Sequence, residues 1–175
     1  QRPGQAIPES LLERVVGEAP GASAARWPWG DAWLQCHRGR LSVVASVPAQ
    51  APATRTSVDL SAPGRHHVEG WKGFLHVTLS ETGLPPELLR AAQCCARRGG
   101  EQFRLRPRGT DRSLKKQYQA AGVPPWLRSG PLVYAGDSLL YAPGLGIDAR
   151  ARRRSTKGRA ELLTLQWMPG IDADG

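Results

Sequence analysis

Apolar residues recur at helical spacing in two short segments of the chain. The first segment, IPESLLERVVGE at residues 7–18, predicts a helix with four inward-facing side chains: Leu11, Leu12, Val15 and Val16. The second segment, residues 112–121, begins after a capping residue (Asp111 or Ser113) and ends at Gly122 and Pro124. One face of this helix is suited to a core and consists of Leu114, Gln117, Tyr118 and Ala121. The opposite face is polar and basic and consists of Arg112, Lys115, Lys116 and Gln119.

Alternating and continuous apolar runs predict strands elsewhere. DAWLQCH and LSVVASV (31–47) read as a hairpin around the turn Arg38-Gly39-Arg40, and GFLHVTL directs Leu75, Val77 and Leu79 to one face. In residues 102–106, Phe103 and Leu105 can face a core while Arg104 and Arg106 point out together. PLVYA and SLLYA form a hairpin around Gly136-Asp137, and AELLTLQW is the last strand. Three stretches complete the pattern: a loop or linker at 48–66, one or two helical turns at 85–96, and an exposed basic loop at 150–159.

Strands and helices are mixed without regular alternation, which predicts an α+β fold with mainly antiparallel strands, short helices and two small domains. The predicted organisation has four parts: an α+β segment at 1–64, a connecting strand and linker at 65–91, a basic α+β domain at 92–168, and a flexible tail at 169–175. Trp27, Trp29 and Trp33 are expected to pack the small core of the first part.

Positive charge is concentrated in the second half of the chain. The net charge is +9, and residues 97–128 alone hold nine Lys and Arg against two acids. Such a local concentration indicates a site for a polyanion, of which RNA and DNA are the commonest. Trp126 has two interpretations: an anchor held by Pro124-Pro125, or a platform for a base or ribose beside Arg128.

The sequence contains no phosphate-binding GxxxxGK[ST] loop, Rossmann glycine set or HExxH zinc motif. Three cysteines, two of them adjacent, favour a reduced state and the cytoplasm, and they indicate neither a disulfide nor a metal site. No apolar run is long enough to span a membrane. The chain starts at Gln1, and its one methionine is Met168, so we expect it to be part of a longer polypeptide.

Five short motifs occur in a characteristic order in RRGGEQFRLRPRG, RSLKKQYQAAGVPPWLR and GPLVYAGDSLLYAPGLGID. This series, within residues 92–168, resembles the C-terminal domain of bacterial tRNA(Ile)-lysidine synthetases. ARWPWGDAWLQCHRGRLSVV is similar to the substrate-binding insert of the same family, over about residues 7–47.

The resemblance implies an enzyme that uses ATP, with Mg, and lysine to convert the wobble cytidine of a tRNA(Ile) with a CAU anticodon to lysidine. In that family an N-terminal ATP-pyrophosphatase domain of the same polypeptide carries an SGGxDS loop, which this sequence lacks. The chain alone is therefore expected to be inactive and to hold no cofactor, metal or catalytic residue. It would grip the acceptor arm of the tRNA through basic residues: Arg97, Arg98, Arg104, Arg106, Arg108, Arg112, Lys115, Lys116 and Arg128.

Two other hypotheses are compatible with the sequence. One is a free-standing module that binds RNA or an acidic protein and has no catalytic activity. The other is a small hydrolase that uses Cys94 or His66. An SGGxDS-bearing domain upstream of Gln1 would distinguish the lysidine-forming enzyme from the free-standing module.

Overall fold

The structure is a computed structural model that describes residues 6–22, 24–45, 55–155 and 161–169. The chain divides into two compact units, residues 1–48 and 49–175. Helices and antiparallel strands mix in both units, which confirms the predicted α+β class. The domain boundaries predicted at 64 and 91 both fall within the second unit.

The first unit packs one helix on a three-stranded antiparallel sheet. Its elements are α1 (Glu9–Glu18), β1 (Ala24–Trp29), β2 (Ala32–His37) and β3 (Arg40–Ala45), with sheet order β1-β2-β3. Leu11 and Val15, one turn apart on α1, are buried with Trp27, Leu34 and Cys36. The prediction that Leu12 and Val16 also face inward was wrong, since they are 46% and 72% exposed. The buried stripe is narrower than predicted because the small sheet covers only one i, i+4 row of the helix.

The predicted β2–β3 hairpin is confirmed, with Arg40 as the first residue of its second strand. Arg38 and Gly39 form the turn with φ values of 52° and 74°, as a tight two-residue hairpin requires. Trp27 packs the core as expected: it is fully buried and its Nε1 donates to Glu18 Oε2 at 2.7 Å. Trp29 and Trp33 are half-buried.

The second unit contains one described α-helix and twelve short strands. Its elements are β4 (Thr56–Val58), β5 (Gly64–His67), β6 (Gly73–Ser80), β7 (Thr82–Gly83), β8 (Ala92–Cys95), β9 (Gln102–Phe103), β10 (Arg112–Ser113), α2 (Leu114–Ala120), β11 (Leu132–Ala135), β12 (Ser138–Ala142), β13 (Gly146–Ile147), β14 (Arg153–Arg154) and β15 (Leu162–Pro169). A five-stranded sheet has the order β13-β12-β11-β8-β4, and a separate three-stranded sheet has the order β15-β6-β5. In addition, β9 pairs with β10, and β7 pairs with β14. Short 3₁₀ turns cover Pro86–Leu89 and Pro125–Leu127.

Two cores lie on opposite faces of the five-stranded sheet. Successive side chains of a strand point to opposite faces, and on β11 Val133 joins one core while Leu132 joins the other. The core of Val133 also takes in Leu75 and Val77 of β6 and Leu163 of β15. The core that contains Leu132 also contains Phe103 and the apolar face of α2.

Several predicted element boundaries need correction. The segment 85–96 forms a single 3₁₀ turn, and its second half is strand β8, a central member of the sheet. The segment 48–66, predicted as loop, contributes β4 and part of β5, and its residues 48–54 lie outside the described residues. The strand predicted at 102–106 has only two residues in β9. Leu79, predicted inward, is 54% exposed near the end of β6.

The late hairpin and the last strand follow the prediction. β11 and β12 pair around Gly136-Asp137, and β15 pairs with β6 along eight residues. The basic loop predicted at 150–159 contains the two-residue strand β14, whose arginines are exposed. Residues 156–159 of that loop and residues 170–175 of the predicted tail lie outside the described residues, whereas Pro169, the first residue predicted for the tail, ends β15.

Candidate nucleic-acid interface

Helix α2 presents its basic side chains to solvent because its other face is fixed in the core. Leu114, Gln117 and Tyr118 are buried, and Gln117 Nε2 donates to the carbonyl oxygen of Phe103 at 2.7 Å. Lys115 and Lys116 occupy the opposite face and are exposed, as predicted. The helix starts after Ser113, which makes no side-chain capping hydrogen bond, and it ends at Ala120, two residues before Gly122 with its φ of 61°. Arg112 belongs to β10 and not to the helix.

Two of the predicted RNA-binding residues, Arg97 and Arg128, contact the ring of Tyr118. The guanidinium carbon of Arg97 lies 5.7 Å from the centroid of its ring, and that of Arg128 lies 5.3 Å away, both within cation–π range. The tyrosine is itself fully buried, and its hydroxyl donates to the carbonyl oxygen of Pro143 at 2.8 Å. Burial raises the pKa of Tyr118 to about 12, although the two arginines oppose the shift. Two positive charges are therefore held against one rigid ring.

The PPWLR segment sets the position of Arg128. Pro124 is extended, Pro125–Leu127 form a 3₁₀ turn, and Arg128 Nε donates to the carbonyl oxygen of Val123 at 2.8 Å. The hairpin exit packs closely here: a Cβ on Gly144 would lie 2.7 Å from a Val123 methyl group. Trp126 is half-buried on this turn. Its two interpretations, structural anchor and stacking platform, both remain predictions.

A network of two carboxylates and two guanidiniums holds the loop that follows β9. Arg104 binds Asp111 with two hydrogen bonds, of 2.9 Å and 3.2 Å. Arg150 lies 3.7 Å from the same carboxylate and donates to Asp148 at 2.7 Å and 3.0 Å. The hydrogen bonds from Arg104 hold the pKa of Asp111 below its ordinary value, and Asp111 in turn raises the pKa of Arg104. Arg104, predicted to point outward, is 32% exposed and forms an ion pair with Asp111.

Asp148 lies at the centre of this network and is fully buried. Its carboxylate accepts the backbone N–H of Arg104 at 3.1 Å and that of Arg150 at 2.8 Å. The backbone N–H of Ala149 donates to the carbonyl oxygen of Arg104 at 2.8 Å. The loop carrying Arg106 and Arg108 is therefore tied at its start to the end of β13. Neither Asp148 nor Arg150 was predicted as a site residue.

Replacing Asp148 with Asn is expected to lower the free energy of unfolding by about 2–3 kcal/mol, because Arg150 and two backbone N–H groups lose a charged acceptor. Urea unfolding followed by tryptophan fluorescence measures the change. The matched control is Asp137→Asn, an exposed carboxylate in the β11–β12 turn, expected within about 0.5 kcal/mol of the parent. Equal stability of the two variants would contradict the assigned role of Asp148.

The remaining predicted cations are exposed: Arg98, Arg106, Arg108 and Arg112. Within the described parts of the chain, none of the four forms an ion pair, and neither do Arg97, Lys115, Lys116 or Arg128. Glu101 is the nearby acid in sequence, and its Oε1 accepts the backbone N–H groups of Arg98 and Gly99 at 2.6 Å and 2.9 Å. That carboxylate thus stabilises the Gly-Gly turn.

The residues proposed for a hydrolase do not form a nucleophilic site. Cys94 is fully buried, and burial raises the pKa of its thiol to about 12, which opposes the thiolate that catalysis needs. His66 Nε2 lies 2.8 Å from the carbonyl oxygen of Ala62. Across the described residues, no three His, Cys, Asp or Glu side chains are grouped so as to hold a metal ion. Neither described helix has the length and apolar character needed to cross a bilayer.

Comparison with known proteins identifies the unit that carries the basic surface. Residues 92–167 match the family model of the TilS substrate C-terminal domain. The chain is 35% identical to a tRNA(Ile)-lysidine synthase of Ralstonia nicotianae, over 95% of this chain and 37% of that protein. It is 34% identical to a tRNA(Ile)-lysidine synthase of Burkholderia pseudomallei, over 89% of this chain and 32% of that protein. The chain thus spans about a third of the length of these curated relatives. It belongs to the tRNA(Ile)-lysidine synthase family, and residues 92–167 are the C-terminal domain of that family.

Proposed function

We propose that this chain binds the acceptor arm of tRNA(Ile) through the basic surface of its second unit. The surface consists of Arg97, Arg98, Arg104, Arg106, Arg108, Arg112, Lys115, Lys116 and Arg128. The observation that carries the proposal is the pair of guanidiniums, Arg97 and Arg128, held against the ring of Tyr118. Neither guanidinium has an ion-pair partner within the described parts of the chain, and the phosphates of RNA can supply one to each.

The hydrogen-bonding capacity and the exposure of the other cations support the same function. Arg104 keeps free N–H donors beyond those bound by Asp111, and its partner fixes the guanidinium in one orientation. Lys115 and Lys116 project from a helix whose opposite face is buried in the core. When they bind RNA, only their side chains lose conformational freedom, because the backbone is already fixed. Contacts of this type position a nucleic acid and carry little sequence information.

The larger activity to which this binding contributes is the ATP-dependent joining of lysine to the wobble cytidine of a tRNA(Ile) with a CAU anticodon. We assign ATP, with Mg, and lysine to an N-terminal ATP-pyrophosphatase domain of the same polypeptide, acting in the cytoplasm. The present 175 residues contain no SGGxDS loop. By themselves they are expected neither to hydrolyse ATP nor to form lysidine.

The experiment compares two hairpin RNAs made from the same tRNA(Ile). One reproduces the acceptor arm and the other the anticodon arm. The chain is expected to bind the acceptor hairpin about tenfold more tightly, because a basic surface without specific base contacts still distinguishes RNAs by shape. Binding is measured by fluorescence anisotropy at constant salt. Equal affinities for the two hairpins would show that the surface binds RNA in general and would contradict the assignment to the acceptor arm. The absence of binding to either hairpin would overturn the proposed function.

A further inference from the structure

A groove of about 540 Å³ lies beside the β11–β12 turn in the second unit. Its volume falls in the range of roughly 300–1,000 Å³ that small-molecule sites occupy. Its lining includes Leu88, Glu101, Tyr134, Asp137, Arg150 and Arg153. None of them except Arg150 takes part in the ion-pair network, and none was predicted to bind RNA.

The lining combines an aromatic ring, apolar side chains and a cation, as a nucleotide requires. Tyr134 is half-buried, and Leu88, although apolar, is 37% exposed. The Arg55 guanidinium lies 5.4 Å from the centroid of the Tyr134 ring and donates to Gln93 Oε1 at 2.9 Å. Aromatic and guanidinium planes are the usual stacking partners of unpaired bases in RNA-binding proteins.

Arg153 provides a positive charge that can bind a phosphate at the edge of the groove. It is exposed, and its Nη1 donates to the carbonyl oxygens of Arg150 and Arg152, which fixes the guanidinium beside the groove. Asp137, also in the lining, is exposed in the turn between β11 and β12. A carboxylate does not favour phosphate, but it can accept a hydrogen bond from the amino group of a base.

The groove is continuous with the basic surface. Arg150 lines the groove, donates to Asp148 of the ion-pair network, and donates to the carbonyl oxygen of Gln102 at 3.0 Å. Glu101 also lines the groove, and its carbonyl oxygen accepts the N–H of Leu114 at 2.7 Å, at the start of α2. An RNA lying along α2 and the loop after β9 therefore reaches the groove at one end.

We propose that this groove holds an unpaired nucleotide from the 3′ end of the tRNA, beyond the last base pair of the acceptor stem. Its base lies against Tyr134 and Leu88, and its phosphate contacts Arg153. The inference rests on the proposed function, because a duplex on the basic surface is what brings a single strand to the groove.

The test compares a blunt acceptor-stem hairpin with the same hairpin extended by unpaired 3′ nucleotides. The extension is expected to tighten binding to the chain about tenfold, the usual contribution of one stacked base. Arg153→Gln and Leu88→Glu should abolish this gain while retaining most of the affinity for the blunt hairpin. Both positions are exposed, so folding should be preserved, and circular dichroism checks it.

Two matched variants control for charge and for apolar surface. Arg154→Gln removes the same charge from the neighbouring position of β14, and Leu79→Glu makes the same substitution at an exposed leucine of β6; neither residue lines the groove. Both should keep the tenfold gain. Equal affinity for the blunt and extended hairpins, or loss of the gain in the controls as well, would overturn the inference and leave the acceptor-stem proposal intact. Failure to bind either hairpin would overturn both.

Discussion

The affinity of this chain for tRNA is expected to fall by about 60- to 1,000-fold when the salt concentration rises from roughly 50 to 200 mM. The reason is the release of counterions from each neutralised phosphate, and four to six contacts give a slope of log K against log salt of roughly −3 to −5. The basic surface supplies enough cations for this number, even with Arg104 ion-paired to Asp111. A titration of the chain with tRNA at several salt concentrations measures the slope.

The double variant Lys115→Ala, Lys116→Ala should flatten that slope by about two, since two phosphate contacts are lost. All tRNAs should be weakened similarly, because phosphate contacts do not distinguish sequences. Alanine is a better helix former than lysine, so α2 should stay folded. The control is Lys72→Ala with Arg90→Ala, which removes two exposed charges of the same unit outside residues 97–128. An unchanged slope in the lysine variant, or an equal change in the control, would show that α2 is only a solvated surface.

The parts of the interface that depend on local sequence could be predicted. The helix at α2 follows from the spacing of Leu114 and Tyr118, and its end follows from Gly122, whose φ of 61° suits glycine. The hairpin of β11 and β12 follows from two apolar runs around Gly136-Asp137. In each case the residues that define the element are neighbours along the chain.

The parts that depend on distant partners could not be predicted. Residues 56–58 are too short and polar to indicate a strand, and they form one because they pair with residues 92–94. Asp148 accepts from the backbone of Arg104 across 44 positions, so its role is visible only in the folded chain. The sequence nevertheless contained a signal, since Asp148 directly follows the apolar Ile147 after the Pro143–Gly146 turn, and a carboxylate placed beside a core must find hydrogen-bond donors.

Arg97 combines a feature that the local sequence predicted with a feature that depends on distant residues. Its charge and its place in the basic segment were evident from the sequence, and they led to its selection as an RNA-binding residue. Its contact with the Tyr118 ring, which Arg128 also contacts, appears only in the folded chain, because Arg97 precedes β9 and Arg128 follows α2. Charge density can therefore identify the region of an RNA-binding surface, whereas the arrangement of individual cations depends on the tertiary structure.

The second unit is expected to lose stability steeply between about pH 10 and 12 because three fully buried weak acids resist ionisation. Burial raises the pKa of Cys94 and of Tyr118 to about 12, and it raises the pKa of Tyr141 further. Below the ordinary pKa values of these groups, about 8.5 for Cys and 10 for Tyr, both states are protonated and stability is complete. Above them the unfolded chain releases protons that the folded chain keeps. Each group then lowers the free energy of unfolding by about 1.4 kcal/mol per pH unit, until the pH passes its folded-state pKa.

Tyr118→Phe separates this effect from general alkaline damage. At pH 7 the variant should be about 1 kcal/mol less stable than the parent, because the carbonyl oxygen of Pro143 loses its donor. Above pH 10 its stability should fall less steeply, by the contribution of one proton, so the two curves of stability against pH should cross before pH 12. Urea unfolding at a series of pH values measures both curves. tRNA binding at neutral pH should persist, since the ring that holds Arg97 and Arg128 is retained. Parallel curves would show that the Tyr118 hydroxyl ionises equally in the folded and unfolded chain, against the raised pKa.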